Sequence, residues 1–100
     1  MHYLLSYDVS SDYLARRVEF RKAHLALAWQ AVERGELVLG GTVGDPIDGA
    51  MLLFLADSPE LPATFAKADP YVLNGLVTKW SVTPWNTVVG QQAFSPVRPD

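Results

Sequence analysis

The chain contains no cysteine, so no disulfide staples it, and neither a thiolate metal site nor a cysteine nucleophile is available. It has only two histidines, His2 and His24, a poor basis for a metal site, and none is expected. Basic residues are in deficit: eight Lys and Arg against eleven Asp and Glu give a formal charge of −3. With no cationic excess, and no aromatics interleaved with Lys or Arg, nucleic acid is not an expected partner. No run approaches the ~18 apolar residues of a membrane span, and the opening Met1-His2-Tyr3-Leu4-Leu5 lacks a basic leader followed by a long apolar stretch. A membrane is therefore not an expected partner, and a cytoplasmic location follows by default. Phosphate-loop, dinucleotide-fingerprint, Gly-x-Ser-x-Gly, HExxH and EF-hand patterns are all missing.

What is present is ordinary globular material, 49 % apolar and 19 % charged over 100 residues. A chain of this size buries roughly 65 % of its unfolded surface around one core. Residues 1–90 are read as that domain and 91–100, with Pro96 and Pro99, as a loosely held tail.

Tyr3, Leu5, Tyr7 and Val9 alternate with His2, Leu4, Ser6 and Asp8, the period-2 pattern of a first strand. Ser10-Ser11-Asp12 offers N-cap chemistry for a long helix over about 12–34. Its apolar stripe is read as Leu14, Val18, Leu25, Ala28 and Val32, and Gly35 stops it. Residues 37–43 read as a second strand, 44–49 as a turn and 50–56 as a third strand, making a hairpin. Ser58-Pro59 starts a short helix, and Asp69-Pro70 begins one further turn that closes at Gly75. A fourth strand over 77–82 is expected to bend at Pro84-Trp85 before a short β-prone piece, 86–89.

The order βαββαβ predicts an α+β, ferredoxin-like fold: a four-stranded antiparallel sheet with two helices on one face and the first and third strands central. Met51 to Leu55 are apolar at every position, yet the helices cover only one face. The other calls for a second copy of the sheet, so a homodimer packed through its sheet faces is expected.

Arg21 shares a helix flank with Leu14, Val18, Leu25 and Ala28. It either snorkels past the helix edge to water or a carboxylate, or clamps an anion such as a carboxylate or enolate. His24 lies one turn on; helical histidines are mostly structural, but this one also suits acid-base work. Asp69 is fully explained as a cap, and is equally a rigid orienting partner for a histidine base. Gly40-Gly41 marks either a bulge or room for a ligand. Tyr7, Asp8, Trp80 and Trp85 are candidate pocket walls or core.

Taken together, Arg21-x-x-His24-Leu25, Gly35, Gly40-Gly41, the segment Phe65-Ala66-x-x-Asp69-Pro70-Tyr71-Val72-x-x-Gly75-Leu76 and Trp80-x-Val82-x-Pro84-Trp85 resemble the YCII-related (YciI-like) family over residues 3 to about 90. The resemblance implies a dimeric α/β-barrel fold and an active site pairing His24 with Asp69; Arg21, Tyr7, Gly40, Gly41 and Tyr71 are the candidate substrate-binding residues beside that pair. The family is similar to muconolactone isomerases and includes dehydrochlorinases of chlorinated hydroxyhydroquinones. It thus implies a cofactor-free enzyme that moves a proton on a small cyclic or aromatic substrate, by isomerisation or elimination. Two other readings stand beside it: a non-catalytic small-molecule-binding or accessory module, and a cofactor-independent oxygenase or haem-binding protein.

Overall fold

A computed structural model describes residues 1–100. The elements run β1 (His2–Val9), α1 (Tyr13–Glu33), β2 (Leu37–Val43), β3 (Gly49–Leu55), α2 (Glu60–Ala68), α3 (Pro70–Leu73) and β4 (Val77–Trp85). The strands form one antiparallel sheet in the order β2-β3-β1-β4. This is the ferredoxin-like α+β fold, with β1 and β3 central. No helix is long and apolar enough to cross a membrane.

Side chains opposite one another in an antiparallel ladder share a face. Leu5 opposes Leu52 and Val82, and Tyr7 opposes Ala50 and Trp80, so these residues lie on the helix side. Leu5, Tyr7, Leu52 and Phe54 are buried there with Phe65, Ala66, Tyr71 and Leu76 from the helical layer and its exit. Leu53, Met51 and Leu55 point the other way, toward the open face, as the period of 2 demands.

Both α1 and α3 end in the same way. Gly35 and Gly75 hold positive φ of 76° and 78°, the conformation open to glycine without a Cβ clash. The flanking amides close the turns: Gly35 N–H to Val32 O with Glu36 N–H to Ala31 O, and Gly75 N–H to Val72 O with Leu76 N–H to Tyr71 O. These are Schellman closures, and each turns the chain directly into a strand.

Four expectations are corrected. The α1 start has no side-chain cap; Ser10 Oγ donates to Asp12 Oδ1 instead, and the first turn closes through Tyr13 N–H to Ser10 O. The buried strip of α1 is Tyr13 and Ala31, supported by Phe20, Leu27, Ala28 and Val32, while Leu14, Val18 and Leu25 are exposed. The helix carries two apolar stripes, and the one nearer its polar flank faces outward. β4 does not bend at Pro84 but pairs with β1 through Trp85, which an edge strand tolerates because one side of it needs no ladder bonds. Lastly, residues 86–89 form no strand. Thr87 turns inward, bonds His2 Nδ1 at 2.6 Å and accepts from Phe94 N–H at 2.8 Å. Ser95 and Val97 N–H then bond the Thr87 and Val88 carbonyls, so the first half of the tail is anchored.

Candidate active site

The Asp69-Pro70 pair creates the centre of the site. Asp69 keeps extended backbone before proline, as the ring of the next residue requires. Its Oδ1 caps α3 by accepting the Tyr71 N–H at 3.0 Å, and its side chain is fully buried. A buried carboxylate needs compensating donors. Two more converge on it: the Tyr7 phenol donates to Oδ2 at 2.7 Å, and His24 Nδ1 lies 2.8 Å from Oδ1. No buried polar side-chain atom of the cluster is left unpartnered.

Because the carboxylate only accepts, Nδ1 is the donating nitrogen of His24. Whenever the ring is neutral, Nε2 is then its free, accepting nitrogen. The ring is held flat as well as tethered, stacking on Tyr71 with centroids 3.9 Å apart and planes 8° from parallel. Tyr13 in turn meets Tyr71 edge-on at 5.7 Å. Burial, then the negative charge of Asp69 and the bond to it, push the Tyr7 phenol far above its ordinary range. Tyr7 is thus a fixed donor and not a base. Tyr71 is also pushed upward, by burial first and by Tyr13 next, against the opposing pull of Arg21 and Arg17.

His24 opens onto a cleft of about 560 Å³ between α1 and the β2 side of the sheet. This volume suits a small organic molecule. Tyr7, Arg21, His24, Gly40, Gly41 and Tyr71 all line it, so the structure brings the substrate-binding candidates and His24 to one cleft, with Asp69 bonded to His24 behind it. Asp8, Trp80 and Trp85 do not line it; Trp80 packs against the core, and Trp85 opposes His2 on the far face. Arg21 is not on a buried stripe but on the exposed cleft wall.

The glycine pair reaches the cleft through a register change. The β2–β3 ladder shifts between Leu37 and Leu39, so Leu37 opposes Phe54 but Gly40, not Leu39, opposes Leu52. The irregularity therefore lies at Val38 and not at the glycines. It turns Leu39 outward and puts Gly40 and Thr42 on the helix side. A Cβ on Gly40 would sit 3.3 Å from Leu52 Cγ, whereas one on Gly41 would meet nothing within 4 Å.

Among the wall residues that sequence reasoning missed are Arg17 and Tyr13. Helical spacing held the signal for Arg17, which stands one turn before Arg21 and two turns before His24. Tyr13 sits at the first position of α1, where no periodicity yet distinguishes faces.

Fold and cleft define a ferredoxin-like domain with a histidine-carboxylate pair at a cleft. The YCII-related domain family matches residues 1–86, and the chain belongs to that family. Among solved structures it is similar to 5-chloro-2-hydroxyhydroquinone dehydrochlorinase from Burkholderia phenoliruptrix AC1100, in complex with 2,5-dihydroxybenzoquinone. The two share 23 % identity with a TM-score of 0.72, over 87 % of this chain and 95 % of that one. No curated protein matches the chain by sequence.

Proposed function

We propose that the chain is a small cofactor-free enzyme in which His24 transfers a proton on a small cyclic or aromatic substrate. The observation that carries this reading is the 2.8 Å contact between His24 Nδ1 and buried Asp69, which leaves Nε2 as the basic nitrogen at the cleft. In the proposed step, Nε2 takes a proton from a carbon beside a carbonyl, and the C–H electron pair passes into the ring as an enolate. Asp69 keeps the proton on Nδ1 and stabilises the imidazolium that forms, while Arg21 holds the substrate's anionic oxygen. In isomerisation the proton returns at another carbon. In elimination the enolate pair forms a new C=C bond, and a halide leaves with the electrons of its C–X bond. The family and the dehydrochlorinase-like fold support this reaction class.

The test is loss of a C–H signal in deuterated water, or halide release, with lactones and chlorinated hydroxyhydroquinones. The wild type should turn over at least one of these, and His24→Ala should be slower by about 10²-fold or more. Binding that survives His24→Ala, with no turnover by the wild type, would instead favour the non-catalytic binding module.

The proposed working unit is a homodimer of the dimeric α/β-barrel type. Leu39 is 71 % exposed and stands beside exposed Met51, Leu55 and Val43 on the face opposite the helices. A contiguous apolar sheet face of this kind is best covered by its own copy, aligned face to face.

A further inference from the structure

We propose that Arg17 and Arg21 together form a carboxylate subsite, and that the substrate is a planar organic acid whose carboxylate lies toward the mouth of the cleft. The proposal rests on the proton-transfer reading of His24 and names the substrate class for it.

Both arginines line the cleft, and no Asp or Glu lines it with them. Neither forms an ion pair within the chain, whose charged pairs are His24 with Asp69 and Arg34 with Glu36. Asp69 already accepts from three donors behind the wall. Two uncompensated cations therefore face one cavity in a protein whose formal charge is −3. A cleft with low-dielectric walls focuses such a field on an incoming anion.

Placement fixes the ligand's polarity. Arg17, Arg21 and His24 share one flank of α1, and at ~1.5 Å rise per residue Arg21 lies ~4.5 Å and Arg17 ~10 Å from His24 along the helix axis. Aromatic rings connect these ends. The Arg17 guanidinium stands 5.7 Å from the Tyr13 ring, Tyr13 meets Tyr71, and Tyr71 stacks on His24. The downward pull of both arginines on the Tyr71 phenol agrees with their lying at that end. A flat ring placed along these aromatics would set its reactive edge at Nε2 and its carboxylate between two guanidiniums, whose forked donors match carboxylate geometry.

Calorimetric titration with 2,5-dihydroxybenzoate and its neutral parent hydroquinone tests this directly. The wild type should bind the carboxylate at least about tenfold more tightly, with the gap closing as salt rises. Arg17→Gln and Arg21→Gln should each weaken carboxylate binding by about tenfold and leave hydroquinone unchanged. Equal affinities for the two probes, binding of neither, or carboxylate binding untouched by Arg17→Gln would each overturn the subsite. His24→Ala should keep the preference for the carboxylate over hydroquinone, so failure of the proton-transfer reading registers in the turnover assay and not in this one.

Discussion

Tyr7 and Asp69 lie 62 residues apart in the chain, yet the phenol donates to Oδ2 at 2.7 Å inside the core. The bond ties a central strand to the cap of α3, so the carboxylate that orients His24 is fixed from the sheet as well as from its own helix. Tyr7→Phe keeps the ring and deletes the donor to a buried carboxylate. It should lower folding stability by about 1–3 kcal/mol, read by urea unfolding. If Tyr7 positions Asp69, kcat should fall more than KM changes; an unchanged kcat with lost stability would leave Tyr7 a purely structural donor.

Alkaline pH gives a second reading of the same bond. The folded protein holds the Tyr7 proton beyond the ordinary phenol range, while the unfolded chain releases it near pH ~10. Above that pH the unfolded state binds fewer protons, so stability is full below about pH 10 and declines as pH rises further. Tyr71 acts in the same direction. Urea midpoints from pH 8 to 11 should fall in the wild type and fall less steeply in Tyr7→Phe.

Asp69→Asn separates cap from carboxylate. The amide oxygen still accepts the Tyr71 N–H, so α3 keeps its cap, but the charge that fixes the His24 tautomer is gone. Thermal unfolding should show a folded protein, and turnover should fall by about 10²-fold or more. Full activity in a folded Asp69→Asn protein would sink the proposed role.

The glycine pair should respond asymmetrically. Gly41→Ala adds a Cβ into open space at a position with ordinary φ and should stabilise by about 0.4–1 kcal/mol through the unfolded chain. Gly40→Val puts branched carbons against Leu52 at the cleft wall, so ligand affinity should drop while the strand persists. Paired melting curves and titrations check both.

Leu39→Asp should convert a dimer into a folded monomer. Sedimentation at micromolar concentration reads this, with circular dichroism confirming the helices; a wild type that sediments as a monomer removes the proposed dimer outright.

Most of the fold was legible because its punctuation is local. Gly35, Gly75, Asp69-Pro70 and the alternation of residues 2–9 each determine a dihedral angle, a cap or a face without reference to distant residues. The facing of α1 was not local. Its apolar residues surround much of the helix, and the cleft decides which stripe stays open. The tail's anchoring depends on Thr87 finding His2 across the sheet, a pairing 85 residues apart that no pattern encodes. His24 with Asp69 was readable through the family resemblance; Tyr7 as the third member of the cluster was visible as a strand residue and not as a donor.

Donors to the Asp69 carboxylate come from β1, α1 and α3, while β2 supplies none. To the site, that edge strand contributes cleft wall and no donor, shaped by one shifted residue at Val38. Reshaping the admitted molecule and reshaping the chemistry are thus separable engineering problems in this scaffold: edits confined to Val38, Gly40 and Thr42 can retarget the cleft while the hydrogen-bonded cluster beneath it stays intact.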